Sequence, residues 1–230
     1  MTAATGKAAM HETLGDDDRW LSLLPQETRD FIRARVRLRH FADRARVYAV
    51  GDEADGLYQI VSGEVRLMAY PAVGRQLLTL VARRRHWFGE LSVVDRGPRP
   101  HDAICQGPVA LLHLPLRDID AFAKTDAGIY GHVALIGCAH QRAALSYIGS
   151  MLAKPSRARL AEMILNMASR EAGFDHPVLQ ISQEDLAGRV GMSRQHLGNL
   201  LSDLKAAGCI ATSYGRIHIL DQAALAAMAD

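Results

Sequence analysis

Four polar side chains lie close together near the C-terminus, and three of them can contact DNA bases. They follow Ser193 in a stretch that is predicted to be helical, and they are Arg194, Gln195, His196 and Asn199. An arginine can donate two hydrogen bonds to guanine, and glutamine or asparagine can form two with adenine. Residues of these types on the first turns of one helix therefore predict contacts with base edges in the major groove.

The surrounding sequence predicts two helices joined by a sharp turn. A first helix begins after Ser182, and a second covers 194–207, where four leucines form a buried stripe: Leu197, Leu200, Leu201 and Leu204. Gly191 lies between the helices, where the backbone must turn in a left-handed conformation. A short β-hairpin over 210–220 follows. This order is typical of a winged helix-turn-helix, whose second helix enters the major groove of DNA.

Phosphate contacts are predicted beside the same two helices. Ser182 and Ser193 are favourable N-caps, and the backbone amides that follow them can donate to phosphate oxygens. Gln183 starts the first helix, and Arg216 lies in the hairpin. The candidate DNA-binding residues are therefore Ser182, Gln183, Ser193, Arg194, Gln195, His196, Asn199 and Arg216. A helical hairpin that serves only packing is the alternative at this stage.

A second group of residues has the chemistry of an anion site. Gly89, Glu90 and Leu91 open a short predicted helix, and the first backbone amides of a helix favour a bound anion. Arg99 can donate two hydrogen bonds to a phosphate, and Glu90 can accept one from a ribose hydroxyl. The alternative is that Glu90 and Arg99 pair with each other and close the loop. Spacing alone leaves both interpretations open.

Several short β-strands must position this second group. A helix is predicted over 26–35, and from residue 36 the apolar pattern changes to a period of two. The predicted strands are 36–41, 47–50, 57–61, 65–70, 76–81 and 103–114, with Ser62-Gly63-Glu64 as a turn. Glycine-bearing turns at this spacing favour an antiparallel β-roll, also called a double-stranded β-helix. With the helices that follow, the predicted fold class is α+β.

A long helix without proline is predicted after the strands. Asp126 is a favourable N-cap, and a helix over 127–151 would be about 37 Å long at 1.5 Å per residue. Steps of three and four residues define one seam along it: Ile129, His132, Ile136, Ala139, Ala143 and Ser146. Such spacing is typical of a coiled coil and predicts a homodimer. Packing of the same face within one chain is the competing interpretation.

Composition and charge limit the class of protein. With 49% hydrophobic and 23% charged residues, the 230-residue chain has the composition of a globular protein of about two domains. It has no apolar run long enough to span a bilayer, no apolar secretion signal at its start and no metal or disulfide spacing among its three cysteines. We therefore expect a cytoplasmic protein without a membrane partner, a metal site or catalytic residues.

Four segments are predicted along the chain. A flexible tail covers 1–18, a sensor domain 19–125, the dimerisation helix and hinge 126–152, and the DNA-binding domain 153–230. The last segment holds 8 basic and 8 acidic side chains, within a chain of net charge +2. Because this segment is formally neutral, its affinity for DNA must come from where a few charged groups lie.

Together these motifs resemble the Crp/Fnr family of bacterial transcription regulators over most of the chain. The similarity covers the β-roll signature Gly51–Val65, the phosphate-binding cassette Trp87–Arg99, the long helix, and the recognition helix Val190–Asn199. The resemblance implies a cyclic-nucleotide-binding-like sensor domain and a homodimer that binds a near-palindromic operator in double-stranded DNA. It also makes RNA polymerase a candidate partner.

The chain departs from the family pattern in the cassette. Pro100-His101-Asp102 stands where cyclic-nucleotide binders of the family usually carry small hydroxyl residues, and proline has no N–H to donate. Ala144 and Leu145 stand where such members offer hydroxyls to the base. The effector is therefore expected not to be cyclic AMP in its usual mode. Another cyclic nucleotide, a cyclic dinucleotide and no ligand remain as the options.

Further departures concern cofactors and the operator. No cysteine precedes Cys105, so the iron–sulfur cluster of oxygen-sensing relatives is not expected. Four histidines are candidate axial ligands if a haem binds: His86, His101, His132 and His140. Gln195 and Asn199 replace a glutamate and an arginine of relatives, which predicts a different operator. The rival functions are a nucleotide-regulated signalling subunit and a cupin-like metal enzyme.

Overall fold

The chain forms two compact units. A computed structural model describes Leu14 and residues 18–72, 75–169 and 178–229. The first unit comprises residues 1–142 and the second comprises residues 143–230, so the division falls inside a long helix. The division at residue 142 reflects how the chain packs, whereas the boundary predicted after residue 152 separates a dimerisation segment from a DNA-binding segment. The predicted boundary therefore stays a prediction.

The first described residues of the first unit are packed into its core. Leu14 and Asp18 are buried. The Asp18 carboxylate accepts hydrogen bonds from the backbone amides of Trp20 and Leu21, each at 2.9 Å, and from the Trp87 indole at 2.8 Å. Burial raises the pKa of Asp18. The tail predicted over 1–18 therefore ends in ordered side chains, and its other residues lie outside the described part of the chain.

An antiparallel sheet of six strands forms most of the first unit. The strands are β1 (Arg37–Phe41), β2 (Arg46–Tyr48), β3 (Gly56–Ala72), β4 (Arg75–Ala82), β5 (Trp87–Phe88) and β6 (Asp102–Pro115). The order is β1-β6-β3-β4, with β2 also paired to β6 and β5 to β3. The helices are α1 (Gln26–Arg35), α2 (Glu90–Asp95), α3 (Leu116–Ala123) and α4 (Gly128–Ala153), whose last residues belong to the second unit. The predicted α+β class and antiparallel roll are confirmed.

Ser62-Gly63-Glu64 is not the turn that the sequence predicts. Strand β3 runs through it without a break. Gly63 has a φ of +86°, and the pairing of β3 with β6 shifts register on both sides of Ser62. A Cβ at Gly63 would lie 2.5 Å from the Pro108 carbonyl oxygen, so this glycine forms a bulge that bends the strand. A bulge and a turn interrupt a period-two pattern in the same way, which is why the sequence did not separate them.

The inward face of α4 corrects the predicted coiled-coil seam. Ile129 and Ile136, together with Val133, are buried in the hydrophobic core of the first unit. Ile129 and Ile136 therefore cannot contact a second protomer, whereas Leu135 and Cys138 are exposed. The competing interpretation, packing within the chain, holds for this half of the helix. Steps of three and four residues are common to core-facing helices and coiled coils, so spacing alone did not decide.

The second unit packs its helices around one core with a small sheet. Its further elements are α5 (Ser156–Ala168), β7 (Val178–Gln180), α6 (Gln183–Val190), α7 (Arg194–Ala206), β8 (Ile210–Ser213), β9 (Arg216–Ile219) and α8 (Gln222–Ala227). The sheet order is β7-β9-β8, all antiparallel. The predicted helix-turn-helix and hairpin are present. Strand β7 was not predicted, because three residues are too few to show a period.

Candidate DNA-binding surface and effector site

A left-handed glycine makes the turn between α6 and α7. Gly191 has a φ of +69°, and the next amide, of Met192, bonds back to the Ala187 carbonyl at 3.0 Å. A Cβ at Gly191 would lie 2.6 Å from the Cε methyl of Met151. Glycine is needed here because side chains disfavour this backbone conformation. The turn fixes the angle at which α7 leaves α6.

Both helices begin at the predicted serine caps. The Ser182 hydroxyl accepts a hydrogen bond from the Asp185 amide at 3.0 Å, and the Ser193 hydroxyl accepts one from the His196 amide at 3.2 Å. These caps use two of the amides that a phosphate would otherwise bind. Phosphate contacts at either helix would therefore have to use the first two helical amides, which precede the capped ones.

Helix α7 divides cleanly into a buried and an exposed face. The buried stripe is the one predicted: Leu197, Leu200, Leu201 and Leu204. The exposed residues near its N-terminus are Arg194, Gln195, His196 and Asn199. The leucines anchor the helix in the core, so the polar side chains lie together on the outside. This is the arrangement that reading a major groove requires.

The other candidate DNA-binding residues lie on exposed positions of the second unit. Gln183 is the first residue of α6, and Arg216 begins β9, opposite Ser213. Tyr214, at the tip of this hairpin, is fully exposed.

The cassette of the first unit is built on a close approach between Gly89 and Arg99. Gly89 has a φ of +90° and immediately precedes α2. A Cβ at this position would lie 2.7 Å from Nη1 of Arg99. That nitrogen instead donates to the Gly89 carbonyl at 2.8 Å. The structure thus brings Gly89 and Arg99 together, while Leu91 lies half exposed on α2.

Arg99 is fully buried and is paired with Asp55. Its Nη2 donates to Asp55 Oδ1 and to the Gly56 carbonyl, both at 2.7 Å. Its guanidinium carbon lies 4.3 Å from the ring centroid of Tyr48, which adds a cation–π contact. The predicted alternative of a Glu90–Arg99 pair is therefore wrong. Among the described residues, no acceptor lies within hydrogen-bond distance of Arg99 Nε, although that atom is buried.

The Asp55 carboxylate is held in its charged form by its neighbours. Besides Arg99, the Tyr58 hydroxyl donates to it, and Nε2 of His113 lies 3.6 Å away. Burial alone would raise the pKa of Asp55, but the hydrogen bonds from Tyr58 and Arg99 outweigh burial and lower it. Burial, together with the same hydrogen bond, raises the pKa of Tyr58. Asp55 therefore supplies the negative charge that a buried guanidinium requires.

Glu90 points to different partners from those of Arg99. Its Oε1 lies 2.9 Å from Nδ1 of His140 on α4, and Nε2 of His140 lies 3.1 Å from Nε2 of His86. Burial opposes ionisation of Glu90, but the hydrogen bond and charge of His140 lower its pKa overall. Two of the four candidate haem ligands, His86 and His140, thus lie together. His101 instead lies against the Tyr48 ring, with ring centroids 5.8 Å apart.

Two general findings limit the kind of site. Within residues 14, 18–72, 75–169 and 178–229, no three His, Cys, Asp or Glu side chains are grouped as metal ligands. None of the helices in these ranges combines the length and the apolar character that crossing a bilayer demands.

Comparison with protein families matches two separate parts of the chain. Residues 38–126 match the cyclic nucleotide-binding domain. Residues 158–228 match the Crp-like helix-turn-helix domain. The first match contains the cassette and all of the six-stranded sheet except Arg37, and the second contains both helices of the helix-turn-helix and the hairpin.

Individual relatives are similar over most of their length. A "CRP-like cAMP-activated global transcriptional regulator" of Mycobacterium tuberculosis is 26% identical over 184 residues, which are 78% of this chain and 82% of that protein. The "Transcriptional regulator LdrP" of Thermus thermophilus is 26% identical over 192 residues, covering 82% and 94%. The solved structure of FixK2 from Bradyrhizobium japonicum has the same fold, with a TM-score of 0.74 at 18% identity, covering 85% of this chain and 98% of that one.

Replacing Arg99 tests whether its buried pair holds the first unit together. We expect Arg99→Gln to lower the free energy of unfolding by about 2 kcal/mol, because it removes the hydrogen bonds that the guanidinium donates to Asp55 and to the Gly56 and Gly89 carbonyls. Both tryptophans, Trp20 and Trp87, are buried in this unit, so urea denaturation followed by tryptophan fluorescence measures the effect. Arg96→Gln is the matched control, since Arg96 forms an exposed pair with Asp120 that contributes less than about 1 kcal/mol. Equal losses in the two variants would contradict the prediction.

Proposed function

The chain belongs to the Crp/Fnr family of transcription regulators, and on that premise we propose that it acts as a homodimer on a near-palindromic DNA operator. The family consists of regulators and not of enzymes, which leaves the cupin-like alternative without support. The observation that carries the proposal is the exposed polar row at the start of α7 above its buried leucines. A cyclic nucleotide-binding domain and a helix-turn-helix in one chain also make a lone signalling subunit the weaker alternative.

The residues that we propose as DNA contacts fall into base-reading and phosphate-binding groups. Arg194, Gln195 and Asn199 can each form paired hydrogen bonds with base edges. The phosphate-binding group consists of Ser182, Gln183, Ser193, His196 and Arg216, all of them exposed. Two recognition helices of a dimer would lie about 34 Å apart, one turn of DNA, which is why the operator should have two related halves.

Removing Arg194 tests the base-reading role. We expect Arg194→Ala to weaken binding to the specific operator by about 1–3 kcal/mol, which is about 5- to 150-fold, and to relax one position of each half-site. Footprinting and fluorescence anisotropy on a selected operator measure both effects. Arg157→Ala is the control, because Arg157 is an exposed arginine on α5 outside the proposed surface. An unchanged footprint and affinity for Arg194→Ala would refute this assignment.

The dimer contact that we propose uses the outward row of α4. Four exposed positions follow steps of three, seven and seven residues: Leu135, Cys138, Leu145 and Leu152. The row includes three large apolar side chains, with Leu145 57% and Leu152 84% exposed, and burial of such side chains is what stabilises a coiled coil. This row replaces the seam predicted through Ile129 and Ile136, and it has the same heptad spacing.

A charge in this row should separate the protomers. We expect Leu145→Lys to convert the dimer to a monomer at micromolar concentration, since two lysines would face each other across a two-fold axis. Sedimentation velocity measures the change. Leu23→Lys is the control, because Leu23 is 67% exposed but lies outside α4. A dimer that survives Leu145→Lys at the same concentration would refute the proposed row.

We also propose that the cassette holds an anionic ligand that is not cyclic AMP. The buried and unpaired Nε of Arg99 and the start of α2 provide donors for a phosphate oxygen. Pro100 provides neither the N–H nor the hydroxyl that cyclic AMP binders of the family usually have at that place. The Mycobacterium tuberculosis relative is described as cAMP-activated, and this chain differs from it at about three residues in four. A cyclic dinucleotide or another cyclic nucleotide is the proposed class.

Calorimetric titration with a panel of cyclic nucleotides and cyclic dinucleotides tests this proposal. We expect cyclic AMP to bind with a Kd above about 100 µM, that is, with less than about 5.5 kcal/mol of favourable free energy. A second compound of the panel should bind at least about tenfold more tightly. Inorganic phosphate serves as the control for simple anion binding. Submicromolar binding of cyclic AMP would contradict the proposal.

Membership of a family of transcription regulators also suggests a protein partner and a cellular location. A regulator that binds promoter DNA acts where RNA polymerase acts, so RNA polymerase is a proposed partner. The cytoplasm is the proposed location for the same reason.

A further inference from the structure

The last turns of α4, which belong to the second unit, have two opposite faces. With about 3.6 residues per turn, Leu145, Ile148 and Leu152 lie within about 60° of one another around the helix. All three are exposed, and Leu145 and Leu152 belong to the row proposed as the dimer contact. The opposite side carries four residues that each contact the rest of the second unit: Tyr147, Ser150, Met151 and Lys154. The end of α4 therefore has one bound face and one free apolar face.

Two contacts of the bound face hold the turn between α6 and α7. The Tyr147 hydroxyl donates to the Arg189 carbonyl at 2.8 Å. Arg189 lies in the last turn of α6, where the carbonyls have no partner further along the helix. A Cβ at Gly191 would lie 2.6 Å from Cε of Met151, so the Met151 side chain lies against the turn itself. Helix α4 thus contacts the helix-turn-helix just before the residue at which α7 begins.

The other two contacts join the bound face to the body of the second unit. The Ser150 hydroxyl donates to the carboxylate of Glu162 on α5, and Nζ of Lys154 lies 3.6 Å from Oε1 of the same residue. Nζ of Lys154 also donates to the Ala229 carbonyl at 2.6 Å. Helix α5 shares one hydrophobic core with α6 and α7. The end of α4 is therefore tied to the core that supports α7 as well as to the turn that precedes it.

We propose that Tyr147 and Met151 are positioning residues that set the spacing between the two halves of the operator. This inference rests on the proposed function, in which the apolar face of α4 lies on the two-fold axis of a dimer. The two recognition helices are then separated by twice the distance from that axis to α7. Because the bound face lies opposite the dimer face, that distance is determined by the width of α4 and by the contacts of Tyr147 and Met151 with the turn.

The geometry of DNA makes this distance measurable. Each base pair added between two half-sites moves one of them by about 3.4 Å and rotates it by about 35° around the DNA axis. A dimer whose recognition helices are held firmly can therefore bind well at only one spacing, whereas a dimer with loosened helices can adapt to several. Neither Tyr147 nor Met151 is a proposed base contact, so loosening them should change the preference for spacing and not the preference for bases.

Binding to operators that differ only in their central spacer tests the inference. The full-length protein is titrated by fluorescence anisotropy against a selected operator and against versions with one or two base pairs added or removed between the halves. We expect the unmodified protein to prefer one spacing at least about tenfold over its neighbours. Tyr147→Phe keeps the ring and removes the hydroxyl. It should weaken binding at that spacing by about two- to tenfold, the effect of one hydrogen bond, and leave the neighbouring spacings nearly unchanged.

Matched variants separate positioning from a general loss of stability. Tyr130→Phe is the control, because it removes a hydroxyl from the same helix in the first unit, where it donates to Asp120 at 2.7 Å, and it should keep the spacing preference. Met151→Ala should relax the preference as Tyr147→Phe does. Met151→Leu should retain it, because leucine has a similar volume and still packs against the turn.

The possible failures of the inference and of the proposed function give different results. If Tyr147→Phe weakens binding by the same factor at every spacing, as a merely structural role would, the inference is overturned and the proposed operator stands. The same holds if Tyr147→Phe binds every spacer as the unmodified protein does. If the unmodified protein binds paired half-sites no better than a single half-site, the proposed function is overturned together with the inference.

Discussion

The first unit depends on the burial of one guanidinium group. Arg99 lies beneath the cassette with its charge removed from water, and such a group is tolerated only when its charge is balanced and most of its donors are used. Asp55 balances the charge, and the carbonyls of Gly56 and Gly89 take two further hydrogen bonds. These partners come from the loop before β3 and the start of α2. Satisfying one side chain therefore fixes where the cassette helix begins.

The position of α2 then determines what Glu90 can reach. Because Arg99 holds Gly89, the carboxylate of Glu90, the first residue of α2, points toward α4. Its hydrogen-bond partner there is His140 and not Arg99. Glu90 and Arg99, which their positions in the sequence would allow to form an ion pair, therefore have different partners in the structure. Arg99 stabilises the interior of the roll, and Glu90 joins the roll to α4.

The sequence predicted structural features that depend on neighbouring residues better than contacts between residues far apart in the chain. Ser182, Ser193 and Gly191 were predictable because a helix cap or a left-handed turn is determined within a few residues. The pairing of Arg99 with Asp55 joins residues 44 positions apart, and no local spacing encodes it. The same limit applies to α4, where Ile136 and Leu135 differ by one position yet lie on opposite sides of the burial boundary.

The long helix shows why a single periodicity admits two interpretations. An α-helix repeats every 3.6 residues, so an inward row and an outward row with nearly equal spacing fit on the same stretch, shifted by one residue. In α4, Val133 and Ile136 form the inward row, and Leu135 and Cys138 face outward. His140 follows Val133 by seven residues and Ile136 by four, so it continues the inward row, where it bonds to Glu90 and His86. The inward row thus changes from apolar to polar after Ile136, the last buried residue of α4, and the polar side chain that follows it joins the helix to the cassette.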